Sequence, residues 1–413
     1  MHVLIVTQYF WPENFRINDV ALGLQEKGHQ VTVLTGQPNY PDGSFFPGYG
    51  FLSRMDEPYH GMRIVRAPII SRGRGKKLRL LLNFGSFAAF ASIVGIWKCR
   101  EAYDVILVFE PSPVTVGIPA IVLKKLRQAP ILFWVQDLWP ETLSATGATA
   151  SGWILSIVES LVRFIYRGCD KILVQSEAFY GPIQRFGVKR EDILYLPNSA
   201  EDFYRPVVVD RQASERSRLP NGFLVVFGGN IGISQSFETI LAAAELLKSH
   251  GDIHWVILGD GRMSAWLQEE ITKRELDKTV HLLGRFPAEV MPQYFALADV
   301  LLASLRKQPI FALTIPSKVQ SYLACGKPIV ASLDGEAARI VREAGAGLTP
   351  APENAEALAG AILTMYQMPE EYRYRMGLRG RTYFEAHFDR ALLLDRLDQW
   401  IRDLKRTIVI CAY

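Results

Sequence analysis

The chain has 413 residues, more than one hydrophobic core ordinarily supports, so two domains are expected. Its apolar content of 49% is high for a soluble protein without being a membrane signature, and its net charge of +4 is modest. Cys99, Cys169, Cys325 and Cys411 lack metal-type spacing and lie mostly in apolar contexts, which reads as buried thiols in a reducing cytosol.

The opening "MHVLIVTQYF" has too short an apolar run and no basic leader, so it reads as a first strand and not as a secretory signal. Further β-branched runs follow at 30–35, 62–68, 104–110, 130–136 and 171–176, separated by helical patterns such as 16–28 and 152–167. The rhythm breaks over 191–206 and the polar 210–222, then resumes with runs at 223–230, 253–261, 280–284, 299–304 and 327–332. This alternation predicts two doubly wound Rossmann-like α/β domains, residues 1–205 and 206–386, with ligand sites at the carboxyl ends of their strands and a cleft between them. The pattern near 389–406 predicts a long helix within 387–413 that crosses back to the first domain. The ending "TIVICAY" carries no reading.

Charge is unevenly spread. Residues 1–200 hold 21 Lys and Arg against 16 Asp and Glu, leaving 25 against 26 for the remainder. From Arg63 to Arg100 there are nine basic residues and no acid. The basic residues Arg72, Arg74, Lys76, Lys77 and Arg79 precede an apolar run of about 18 residues, close to the length of a spanning helix. A membrane span, a packed helix and an interfacial patch on anionic headgroups are the three readings, and the interfacial patch over 71–100 is favoured. A nucleic-acid partner is not expected, because the run lacks interleaved aromatics and any known module.

Three helix openings in the second half invite an anion. In "FGGNIGISQ" Gly228, Gly229, Asn230, Gly232 and Gln235 join a strand to a helix, a pattern that tight turn geometry alone could also produce. It does not fit G-x-G-x-x-G, which disfavours a nicotinamide cofactor. "LGDGR" repeats the arrangement with Gly259, Asp260, Gly261 and Arg262, and in "IPSKVQSYLACG" Pro316 opens a helix with Ser317 and Lys318 in its first turn. A cation there opposes the helix dipole, at a cost of up to about 1 kcal/mol, unless an anionic ligand compensates. A sugar nucleotide fits three such openings. On the N-terminal side Glu13, Glu110, Asp137 and Glu141 follow three strands and are the candidate carboxylates to bind or deprotonate an acceptor hydroxyl, with helix capping as the alternative for any one of them.

The succession "FGGNIG", "LGDGR", "HLLGR", "PSKVQSYLACGKPI" and "DGEAARIV", after "YFWPENFRINDVALGLQEKGHQVTVLT", resembles the retaining glycosyltransferases of the two-Rossmann (GT-B), family 4-like type. More narrowly it is similar to bacterial O-antigen and capsule transferases that handle N-acetyl-L-fucosamine. The resemblance implies a UDP-sugar donor and a polyprenyl-diphosphate-linked saccharide acceptor, at the cytoplasmic face of the inner membrane. It places the diphosphate at Pro316, Ser317 and Lys318 with Arg262 or the 229–232 amides, the base and ribose near Gly259–Arg262 and Leu283–Gly284, and the sugar at Gly335 and Glu336. Where many members carry two glutamates eight apart, Leu313 and Ser321 stand here, so Ser321, Gln320 or a backbone group would meet the ribose. Gln235 replaces a common basic residue, and Gln136 a common histidine. With no Asp-x-Asp in the chain, transfer without a metal and without a cofactor is expected. A nucleotide-sugar epimerase of the same architecture and an inactive binding module are the alternatives.

Overall fold

The computed structural model describes residues 1–73, 77–145, 152–210 and 213–411. They divide into two units, residues 1–196 with 394–413, and residues 197–393. The boundary lies at Leu196, earlier than the expected 205, because the following segment belongs to the second unit: Ala200 is in its core and Pro206 lies against Gly326.

The first unit is built on an eight-stranded sheet: β1 (His2–Val6), β2 (Gln30–Gly36), β3 (Asp56–Tyr59), β4 (Met62–Ala67), β5 (Val105–Glu110), β6 (Ile131–Val135), β7 (Lys171–Val174) and β8 (Ile193–Tyr195). Their order is β3-β4-β2-β1-β5-β6-β7-β8, parallel throughout except for the antiparallel edge pair β3–β4. Strands sealed on both faces need continuous apolar runs, and Val3 to Val6 and Val105 to Val108 are wholly buried. The second unit has six parallel strands, β9 (Phe223–Gly228), β10 (Ile253–Leu258), β11 (Val280–Gly284), β12 (Val300–Ser304), β13 (Ile329–Ser332) and β14 (Gly347–Leu348), in the order β11-β10-β9-β12-β13-β14. Strand order reverses at β1 in one sheet and at β9 in the other, which opens a crevice beyond the carboxyl ends of β1/β5 and of β9/β12.

Helices α1 (Arg16–Glu26), α2 (Lys77–Lys98), α3 (Gly117–Arg127) and α4 (Gly152–Gly168) cover the first sheet. Gly95 of α2 lets Leu123 of α3 approach, and Gly117 of α3 lies where any Cβ would come within 2.4 Å of Ile165 in α4, so α3 is held closely between its neighbours. α2 buries Asn83, Phe87, Ala88, Ala91 and Val94 but exposes Leu78, Leu81, Leu82, Ile93, Ile96 and Trp97. By length and composition it could cross a membrane; in this fold one face is core and the other an apolar stripe. Arg74, Gly75 and Lys76 of the basic run lie outside the described residues.

In the second unit α5 (Phe237–Leu246) follows β9, α6 (Ser264–Lys273) follows β10, and α7 (Ser317–Ala324) and α8 (Gly335–Glu343) flank β13. The last helix, α9 (Arg390–Cys411), returns to the first unit. Leu394 packs at Gly23, Lys27 pairs with Asp395, His29 Nε2 lies 2.7 Å from Asp398 and Lys405 pairs with Asp104. Residues 407–411 of the uninterpreted tail continue this helix.

Candidate functional site

In the second unit three loops meet beyond β9, β10 and β11. Gly229 donates its N–H to Leu258, Gly259 to Gly284 and Ile231 to the Asp260 carbonyl, at 2.8–2.9 Å. A Cβ on Gly259 would fall 1.8 Å from the Gly229 oxygen, and one on Gly261 2.3 Å from that of Ile231. Both glycines are therefore required by loop packing whatever binds there. Asp260 caps the turn into α6, accepting from Gly261 N and Ser264 Oγ at 2.7 Å, and those bonds hold its carboxyl below the usual range. Asn230 and Arg262 stand exposed at the rim, and Gly232 lets the Asn230 amide fold back over the loop.

α7 begins at Ser317 with Pro316 as its N-cap, one residue later than the sequence suggests. Lys318 in its first turn is bent onto β9. Its Nζ lies 3.7 Å from the centre of the Phe227 ring and 2.6 Å from Gln235 Oε1, facing Gly229. Burial of the ammonium lowers its pKa to about 7. Among the described residues no carboxylate pairs with it, so a cation at a positive helix end is left without a counter-ion.

Two assigned contacts do not hold. Gln320 is sealed inside, its Nε2 donating to the Asn198 carbonyl at 2.5 Å, because its face of α7 packs on the segment after Leu196. Glu336 is buried, and both its oxygens are taken by Arg339 at 2.5 and 2.9 Å. Ser321 spends its hydroxyl on the Ser317 carbonyl within the helix. Gly335 has φ +69°, and a Cβ there would meet the Ala312 oxygen at 1.9 Å.

In the first unit Glu13 is 1% exposed beyond β1. Its Oε1 accepts from the amides of Asn39 and Tyr40 at 2.8 and 2.7 Å, which ties the loop after β2 to the loop after β1. Burial pushes its pKa up to about 7 against the pull of those amides. The same loop is pinned by Arg66, wholly buried, which donates to Glu57, to the Trp11 carbonyl and to that of Gly36.

Glu110 ends β5 with no solvent exposure, its carboxyl facing the backbone amides of Gln136 and Asp137. Burial, then the charge of Asp137, hold its pKa far above the usual carboxylate value. Glu110 therefore cannot itself reach an acceptor hydroxyl, contrary to the sequence expectation. It stands behind Asp137, partly exposed beyond β6 and raised by burial to about 7. Glu141 is held by Arg185 at 2.8 Å.

Sequence reasoning missed a buried polar network nearby. Gln8 donates to Asn83 at 2.7 Å, Asn83 to the Ile70 carbonyl at 2.6 Å, and the Arg72 amide to Asn39 at 3.0 Å. An asparagine inside the apolar run of α2 was its one signal.

Two doubly wound, largely parallel sheets, with glycine openings in one unit and carboxylates at strand ends in the other, are the arrangement of the GT-B fold. Residues 14–199 match the family described as glycosyl transferase 4-like domain, and residues 210–383 the family described as glycosyl transferases group 1. WcaI of Escherichia coli, named as a colanic acid biosynthesis glycosyl transferase, is 23% identical over 92% of this chain and 93% of its own length. The Pseudomonas aeruginosa glycosyltransferase WbjE is 29% identical over 77% of this chain and 79% of its own. Among solved structures, Anabaena HepE in complex with UDP aligns at TM-score 0.70 and 14% identity over 98% of this chain and all of its own. Sucrose-phosphate synthase from Thermosynechococcus elongatus aligns at TM-score 0.72 and 17% identity, over 98% and 99%. The chain is a glycosyltransferase of the GT-B type.

Proposed function

We propose that this glycosyltransferase is a retaining one, which moves an N-acetylated amino sugar of the N-acetyl-L-fucosamine kind from UDP to a saccharide on polyprenyl diphosphate. The product would enter a bacterial surface polysaccharide such as O-antigen or capsule. The observation that carries the reading is Lys318, a cation without a carboxylate at the start of α7, laid on Phe227 and facing Gly229. A diphosphate supplies the missing negative charge. Relatives named for bacterial glycosyl transfer and a fold neighbour holding UDP support it.

In this reading the second unit binds the donor, with Lys318 and the α7 helix start stabilising the diphosphate as it leaves and no metal or cofactor required. The acceptor oxygen bonds to the anomeric carbon as the bond from that carbon to the phosphate oxygen breaks, and the acceptor proton passes to the departing phosphate. Asp137, partly exposed beyond β6, is the carboxyl suited to orient the acceptor hydroxyl. The apolar stripe of α2 rests on the cytoplasmic face of the inner membrane, where lipid-linked acceptors lie. A panel of UDP-sugars assayed with polyprenyl-diphosphate-linked N-acetylglucosamine tests the reading: transfer with retained anomeric configuration is expected, whereas conversion of the sugar nucleotide without acceptor would overturn it.

A further inference from the structure

Beyond β1 and β2 the first unit carries an aromatic box outside the chemistry above. Tyr9 and Phe15 stack with centroids 4.9 Å apart, and Tyr40 closes on Phe15 at 5.3 Å and on Tyr9 at 5.7 Å. Tyr9 is the buried floor, while Phe15 is half-buried and Tyr40 is 39% exposed. The sequence offers Arg72 as a membrane-facing cation, but its guanidinium turns inward. It lies 5.0 Å from the centre of the Tyr40 ring and 5.7 Å from that of Tyr9, and its Nη1 donates to the Tyr9 hydroxyl at 2.8 Å.

The guanidinium groups of the first unit differ in what they hold, and Arg79 and Arg127 donate to carbonyl oxygens. Arg63, Arg66 and Arg185 each hold a carboxylate at 2.5–2.8 Å. Arg72 pairs with none among the described residues; its partners are two rings and a phenol, which leave most of its five N–H donors free. The nearby acid, Glu13, is committed instead to the amides of Asn39 and Tyr40 and so fixes the backbone that carries Tyr40. A positioned guanidinium with open donors suits phosphate oxygens, and an exposed aromatic face suits the apolar side of a sugar ring. Arg72 also lies five residues before the start of α2, so an anion held there would sit at the end of the proposed lipid-facing helix.

We propose that Tyr9, Phe15, Tyr40 and Arg72 form the acceptor's phosphate-sugar subsite, with Arg72 on a phosphate oxygen of the lipid diphosphate and the Tyr40–Phe15 face against the adjoining sugar. This rests on the acceptor class proposed above. A phospholipid headgroup offers Arg72 the same phosphate chemistry, and the experiment separates the two sources.

Two acceptors carrying the same saccharide, one on a short-chain isoprenyl diphosphate and one on a neutral alkyl glycoside, are compared with wild type, Arg72→Gln, Arg72→Lys and Tyr40→Ala. Arg72→Gln is expected to raise KM for the diphosphate acceptor about tenfold more than for the neutral one, with Arg72→Lys recovering part of the loss. Tyr40→Ala is expected to raise KM for both. Equal Arg72→Gln penalties on the two acceptors, or none, would overturn the proposal, as would an Arg72→Gln defect confined to binding of phosphatidylglycerol vesicles. Calorimetric binding of the diphosphate acceptor to wild type and Arg72→Lys reads the box without turnover. It therefore tests the subsite even if the transfer reaction is wrong or Arg72→Gln fails to fold.

Discussion

Lys318 Nζ rests 2.6 Å from Gln235 Oε1 and 3.7 Å from the centre of the Phe227 ring, so the cation of the donor site is held by a neutral amide and an aromatic face. A carboxylate in place of Gln235 would already satisfy it. The neutral partner leaves the charge available to a ligand.

Donor binding should therefore depend on pH. Burial lowers the Lys318 pKa to about 7, and an anionic donor favours the charged form. Affinity for a UDP-sugar, whose own phosphates do not titrate here, should be flat below pH 7 and fall by up to about tenfold per unit above it. Lys318→Arg should flatten that slope, and Lys318→Ala should weaken binding far more than Ser321→Ala. Calorimetric titrations from pH 6 to 9 decide it; a slope that persists in Lys318→Arg removes Lys318 from the site.

Glu13 should make the first unit more stable in mild acid. Its folded pKa of about 7 lies above the ordinary value of 4.5, so its contribution is complete below about pH 4.5 and is lost as pH rises through 7. The difference is of order 3 kcal/mol. Glu13→Gln should flatten that part of the stability curve, measured by denaturant unfolding at pH 5 and pH 8.

Gly335 and Gly360 should respond in opposite directions to alanine. At Gly335 the left-handed backbone and the Ala312 oxygen leave no room, and a loss of about 1–3 kcal/mol is expected. Gly360 is exposed in the Ala355–Gln367 helix with nothing near its Cβ position, so alanine should gain about 0.5–1 kcal/mol. Thermal melts of the two variants check the pair.

The outer stripe of α2 should govern membrane association. Leu78 and Trp97, at its two ends, are 70% and 64% exposed, and Leu81 lies between them. Replacing all three with serine should lower partitioning into anionic vesicles by at least about tenfold while leaving UDP binding intact. Sedimentation with phosphatidylglycerol vesicles reads the first; undiminished partitioning would refute the interfacial role.

Transfer should also survive excess chelator. Activity that disappears with EDTA and returns with magnesium would show that Lys318 and the α7 start are not enough for the diphosphate.

The buried parallel strands were legible because a strand sealed on both faces must be apolar along its length, as in 2–6 and 223–228. Edge strands escape that rule. β3, with the sequence Asp-Glu-Pro-Tyr, pairs on one side only and carries no alternation, and β8 fell inside the segment read as a break. The glycine openings and the misplaced lysine were visible in the sequence; directions were not. Nothing local tells Arg72, stacked on tyrosines, from a cation pointing at solvent, and the depth of Glu110 or the inward turn of Gln320 is set by segments far along the chain.

The return of α9 has a consequence for how the molecule comes into being. Leu394, Leu397 and Ile401 complete a face of the first unit, yet they are made after the whole of the second. The part that leaves the ribosome first is finished last, with the apolar face around Gly23 open until residues 394–401 have been made. A chain stopped short of residue 394 could complete its second unit and still display an unsatisfied face on its first, so loss of these last residues would appear as aggregation or chaperone retention before it appeared as a catalytic defect.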